Sequence, residues 1–152
     1  MTVALRTAIT LVFLGFVSAP AFATDGVTPQ EEPLIRPAGD VDLSEFVWKK
    51  RPVVVFADDP ADPAFVEQIE LLNAGLDRLK ERDVVVLTDT DPSVLSPVRR
   101  KLRPRGFMLA IISKEGRVQL RKPFPWDVRE ISRTIDKMTI RQREIREAKE
   151  TE

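Results

Sequence analysis

The chain has no cysteine, no histidine and no tyrosine among its 152 residues. Without cysteine there can be no disulfide scaffold and no thiol redox chemistry. Without histidine it loses the commonest acid–base side chain and the commonest zinc ligand. Aromatic residues are few, at 7%. Long apolar runs are scarce as well. Thr7–Val17, 11 residues, is almost wholly apolar, but a membrane-crossing helix needs roughly 20.

Charge is plentiful and unevenly placed. The 24 basic and 24 acidic residues cancel overall. From Thr24 to Leu95, however, 7 basic face 16 acidic residues, a net of −9, and from Ser96 to Glu152, 16 basic face 8 acidic, a net of +8. A length of 152 residues suits one domain.

Residues 1–23 read as a secretory signal peptide. Arg6 is their only charge, the apolar run follows it, and Ala21-Phe22-Ala23 supplies a small-x-small cleavage pattern. Cleavage near Ala23-Thr24 implies a periplasmic or secreted protein without a membrane span; a retained signal anchor is the alternative. Thr24–Asp42 holds three prolines, two glycines and five acids, too little apolar surface to offset ordering entropy, so it reads as a flexible leader. The domain then runs over 43–139, with a charged helical extension over 140–152.

Leu43–Trp48 is a short amphipathic piece that should dock on the domain edge. Val53-Val54-Val55-Phe56-Ala57 and Val84-Val85-Val86-Leu87 are β-branched runs expected in strands buried on both faces. Between them, Asp62-Pro63 caps a helix that carries Phe65, Ile69, Leu72, Leu76 and Leu79 on one face. Pro92 and Pro97 punctuate a short helix ending near Leu102, and Asp91, like Asp62, precedes a helix-starting proline. Phe107–Ser113 and Arg117–Arg121 form a hairpin about Lys114-Glu115-Gly116, the second strand having one solvated face. Asp127 caps the last helix in a capping-box spacing with Glu130, and Val128, Ile131, Ile135 and Met138 make its buried stripe. The order β-α-β-α-β-β-α predicts a mixed sheet with helices on both faces, a thioredoxin-like arrangement.

Three segments carry a more specific resemblance: Trp48–Ala57, Glu81–Leu87 and Arg121–Ile131. Together they resemble a secreted bacterial family of unknown function in the peroxiredoxin-like DUDES group, whose domain is shared with animal extracellular-matrix and sushi-repeat proteins. The resemblance spans roughly Leu43 to Glu147. It implies a thioredoxin-like fold, a secreted location and no established enzymatic activity. Working members of that fold place a redox cysteine in the turn after the first strand. Here that turn reads Asp58-Asp59-Pro60-Ala61-Asp62-Pro63, and Met108 falls where a cis-proline would face it.

Two constellations and one aromatic remain as candidates. Asp58, Asp59 and Asp62 leave the first parallel strand, and Asp89 and Asp91 the second, at the sheet edge where open α/β folds bind ligands. Asp58, Asp59, Asp89 and Asp91 could hold a hard divalent cation, or they are ordinary turn and cap residues; no other cofactor is expected. Asp89-x-Asp91 after an apolar run also resembles the haloacid-dehalogenase phosphatase motif, but the chain lacks the size and further ligands of those enzymes. The basic set is Arg99, Arg100, Lys101, Arg103, Arg105, Arg117, Arg121 and Lys122, with Lys114 nearby. It suits an unknown protein, glycan or anionic envelope component, but not nucleic acid, since an exported protein rarely meets it and no aromatics interleave with the 99–105 cluster; alternatively it pairs with the acidic half. Trp126 is either an exposed contact residue or a staple for the last helix, and Trp48 shares that ambiguity. A purely structural envelope role is the remaining reading.

Overall fold

Val53, Val54, Val55 and Phe56 are all closed off from solvent, which requires that both faces of their strand be covered. The computed structural model describes residues 32–151. Its strands are β1 (Ile35–Pro37), β2 (Arg51–Phe56), β3 (Val84–Asp89), β4 (Met108–Ile112) and β5 (Val118–Lys122). They form one mixed sheet in the order β1-β3-β2-β4-β5. The first three run parallel, whereas β4 is antiparallel to both β2 and β5. The signal-peptide assignment and the leader up to Glu31 lie outside the described residues.

Strand alternation divides the core between the two faces. Val53, Val55, Val84, Val86, Leu109 and Ile111 point to one side. There they meet Leu72 of α1 (Pro63–Asn73), Leu79 of α2 (Leu76–Lys80), and Val128, Ile131 and Ile135 of α4 (Val128–Asp136). Val54, Phe56, Val85, Leu87, Ala110 and Ile112 point to the other. That face is covered by Leu43 and Phe46 of a 3₁₀ turn and by Val98 and Leu102 of α3 (Pro97–Leu102). Each such side chain contributes roughly 1.5–3 kcal/mol by leaving water.

Several expectations are corrected. Leu34–Asp42 is not a free leader. Ile35–Pro37 pairs with Val86–Thr88, Ala38 is buried, and Asp42 caps the 3₁₀ turn in a full capping box with Glu45. The helix expected from Pro63 to Leu79 breaks at Ala74-Gly75, and Leu76 lies outside the core that Phe65, Ile69, Leu72 and Leu79 join. Gly75 is where Val128 presses in: a Cβ there would sit 2.6 Å from Val128 Cγ1. Asp91 starts no helix: its carboxylate accepts from the Ser93 amide and hydroxyl within a turn, and Ser96 caps α3 instead. Glu130 completes no capping box but pairs with Arg133, leaving Asp127 to cap α4 alone.

The charged tail forms α5 (Thr139–Glu150), which buries no residue. It is held by ions instead. Glu144 receives Arg51 Nη2 at 2.9 Å and Lys114 Nζ at 2.8 Å, and Lys114 also reaches Asp83 at 2.7 Å. Among the described residues, no helix is long and apolar enough to cross a membrane.

Candidate functional site

Parallel pairing of β2 with β3 sets Phe56 opposite Asp89, and antiparallel pairing sets Phe56 opposite Met108 and Leu109 opposite Lys122. One edge of the sheet therefore gathers the end of β2, the end of β3, the start of β4 and the end of β5. It is the edge at which open α/β sheets place their ligands.

Its centre is Arg99, which is only 6% exposed. Nε and Nη2 grip Asp89 Oδ1 at 3.0 and 2.8 Å, and Nη2 also caps the Ala57 carbonyl at 2.9 Å. Ser96 donates its hydroxyl to the other Asp89 oxygen and accepts from the Arg99 amide. Arg99 further lies over the Phe56 ring, 5.5 Å from its centroid. Its third nitrogen, Nη1, faces Asp58 Oδ1 at 3.7 Å, beyond hydrogen-bond distance. Arg99 is thus a buried, anchored cation and not part of a loose surface patch. The helical phase of α3 carries a signal for this, since Val98 and Leu102 are buried and Arg99 stands three residues from both Ser96 and Leu102.

This pairing also corrects the cation site. Asp89 spends its charge on Arg99, and Asp58 faces the same guanidinium. Asp59 turns back to its own loop through the Ala61 amide, and Asp91 does so through Ser93, whose hydrogen bonds hold its carboxyl below the usual range. Among the described residues, no three acidic side chains come together to hold a metal ion.

The remaining basic residues fare differently. Lys114 is taken up at the opposite edge by Asp83 and Glu144. Arg100, Lys101, Arg103, Arg105, Arg117, Arg121 and Lys122 form no salt bridge among the described residues. Arg121 donates to the Leu102 carbonyl at 3.1 Å. Lys122 lies over Trp126 and Phe124, 4.7 and 5.5 Å from the ring centroids. Trp126 packs against the core, and its backbone is clamped by Gln68, so it acts as the staple. Phe124 is the aromatic left open, 51% exposed, while Trp48 is exposed at the far end of β2.

Arg99, Arg100, Arg103 and Arg105 share an open depression of about 620 Å³ with Asp58, Gly106 and the apolar Pro92, Leu95 and Pro104. A smaller one of about 240 Å³ continues past Arg103 and Arg105 to Phe107, Met108, Arg121, Lys122 and Pro123. Together they make a basic, partly apolar trough along the edge.

Residues 42–144 match a family described as a domain of unknown function, DUF4174. No curated protein matches the chain. Solved structures similar to it include the reduced 2-Cys peroxiredoxin of Plasmodium vivax, at 21% identity over 68% of this chain and 85% of that one, with a TM-score of 0.53. Plasmodium yoelii Prx1a, modified at its N-terminus, is similar at 24% identity over 63% and 77%, with a TM-score of 0.50. The likeness establishes the expected thioredoxin-like, peroxiredoxin-type fold.

Proposed function

Because the chain belongs to the DUF4174 family of domains of unknown function, we propose its role from the chemistry of its surface: it is an exported binding module for anionic partners, without thiol redox activity. One observation carries this reading. Seven basic side chains between Arg100 and Lys122 form no salt bridge among the described residues, Lys101 reaching the Asp42 carboxylate only through space, and most of them line one trough. Unpaired cations on a concave surface raise the local concentration of anions and steer their approach. The turn after β2 offers proline where a redox pair would stand, and the chain has no cysteine to fill it. Export rests on the apolar run Thr7–Val17 and the Ala21-Phe22-Ala23 pattern.

The test is retention on heparin and on vesicles containing anionic lipid. Binding should weaken as ionic strength rises from about 0.05 to about 0.5 M, since screening shortens the reach of exposed charges. Arg100→Ala with Lys101→Ala should lower it further without unfolding the domain, because both side chains are exposed. Salt-independent retention, or none, would sink the reading.

A further inference from the structure

The depression beside Arg99 differs from the rest of the basic trough in having a buried floor, and we infer that it is a discrete site for a phosphate-monoester dianion, with which the Asp58 carboxylate competes for Arg99. This deepens the proposed anion-binding role and rests on it.

Charge sets the class of ligand. Four arginines and Asp58 line the depression, and Asp89 compensates Arg99 from beneath. Counting these six side chains leaves a net charge of +2, and the Asp91 carboxylate also acts on Arg99 from outside the depression. A phosphate monoester near neutral pH carries close to two negative charges, its second proton leaving at a pKa of about 6, whereas carboxylates and sulfate esters carry one. Guanidinium groups also present forked donors that match phosphate oxygens.

Geometry sets the place. Arg99 is fixed by Asp89 and the Ala57 carbonyl, so its orientation costs a ligand no side-chain entropy. Its Nη1 has only the Asp58 carboxylate before it, at 3.7 Å among the described residues. Asp58 Oδ2 lies 4.0 Å from where a Gly106 Cβ would be, so it stands between Arg99 and the 103–106 loop. A ligand oxygen approaching Nη1 must compete with this carboxylate, whose side chain is 57% exposed and able to swing away.

The rim shows a further sign. Arg103 ends α3 in the left-handed region, at φ 49° and ψ 60°, a position that favours glycine. The chain keeps an arginine there, and its side chain lines the depression. Pro92, Leu95 and Pro104 add an apolar wall for the carbon portion of an ester.

The full domain would be titrated with inorganic phosphate, phenyl phosphate and phenyl sulfate while amide shifts are followed by NMR. Vesicles carrying a phosphatidic acid headgroup, against neutral vesicles, separate a lipid source from a soluble one. Saturable shifts at Asp58, Arg99 and residues 103–106 are expected, with phenyl phosphate binding more tightly than phenyl sulfate. Phenyl phosphate affinity should rise as pH passes about 6, where the ligand becomes a dianion. Asp58→Asn should tighten phosphate binding about threefold, and Arg103→Ala with Arg105→Ala should weaken it about tenfold. Both changes lie on exposed side chains, and an unchanged amide spectrum elsewhere verifies the fold. No saturable shift in Asp58→Asn, or equal binding by the double variant, overturns the site. Heparin retention without a phosphate site would overturn this inference and leave the broader reading standing. A phosphate site without heparin or vesicle retention would support it and overturn the broader reading.

Discussion

Arg51 and Glu144, 93 residues apart, meet at 2.9 Å between Nη2 and Oε1, with the Arg51 side chain only 1% exposed. Arg51 opens β2 in the middle of the sheet, and Glu144 lies on α5, which buries no residue of its own. The C-terminal helix is therefore held to the domain by charge, not by an apolar stripe. Glu144→Gln leaves Arg51 buried with a weaker partner and should cost about 3 kcal/mol. By contrast, Glu130→Gln breaks an exposed pair with Arg133 and should cost less than about 1 kcal/mol. Urea denaturation of the two variants gives the comparison, and equal losses would show that Arg51 does not need Glu144.

The same pair sets a pH dependence. Burial alone would raise the Glu144 pKa, but hydrogen bonds from Lys114 and Arg51, then the Arg51 charge and Arg141, hold it at about 2. In the unfolded chain the group titrates near an ordinary glutamate value, about 4.3. The folded value is the lower one, so the unfolded state binds more protons between the two. The contribution is fully present above the unfolded value and is lost as pH falls from about 5 toward about 2. Melting temperature should drop over that window in the wild type and drop less in Glu144→Gln. Parallel curves would remove Glu144 as the source.

Much of this fold is legible in the residues, for a definite reason. Val53–Ala57 and Val84–Leu87 are continuous apolar runs, and only a sheet covered on both faces can bury them. The caps at Asp62 and Asp127 depend on neighbours two or three residues away. β1 is not legible, because its three residues take their order from pairing with β3. The need for glycine at position 75 comes from Val128, more than fifty positions later. At the candidate site the basic residues are visible, but Arg99 looks like its neighbours until folding brings Asp89 to it, as Lys114 does at the opposite edge until it meets Glu144. Sequence supplies the charges of this edge, and tertiary structure decides which are spent.

Gly75 tests that long-range effect. A methyl group there would lie 2.6 Å from Val128 Cγ1 and 2.9 Å from its Cβ, and Val128 is buried in the core. Gly75→Ala should destabilise by about 2 kcal/mol through overpacking, although alanine is the better helix former. If the clash is the cause, adding Gly75→Ala to Val128→Ala should cost little more than Val128→Ala alone, because the two changes share one volume. Thermal unfolding of the two single variants and the double variant decides the matter, and strictly additive losses would place the cost of Gly75→Ala elsewhere.

Gln68 tests the staple. It is fully buried in α1, donates to the Trp126 carbonyl at 3.0 Å and accepts from the Trp126 amide at 2.8 Å. A side-chain amide here does what a neighbouring strand would do, pairing both backbone groups of the residue just before the α4 cap, Asp127. Gln68→Ala strips both partners and should cost about 2–3 kcal/mol, since unpaired polar groups away from water carry their desolvation penalty. Gln68→Glu keeps an acceptor for the amide but sets a carboxylate against the carbonyl, so it should not rescue the loss. Because Trp48 is the other tryptophan and is exposed, a Trp48→Phe background isolates the Trp126 emission. Gln68→Ala in that background should shift the emission to the red as the staple loosens and Lys122 leaves the ring. An unshifted spectrum with full stability would mean that core packing alone holds Trp126, without its backbone clamp.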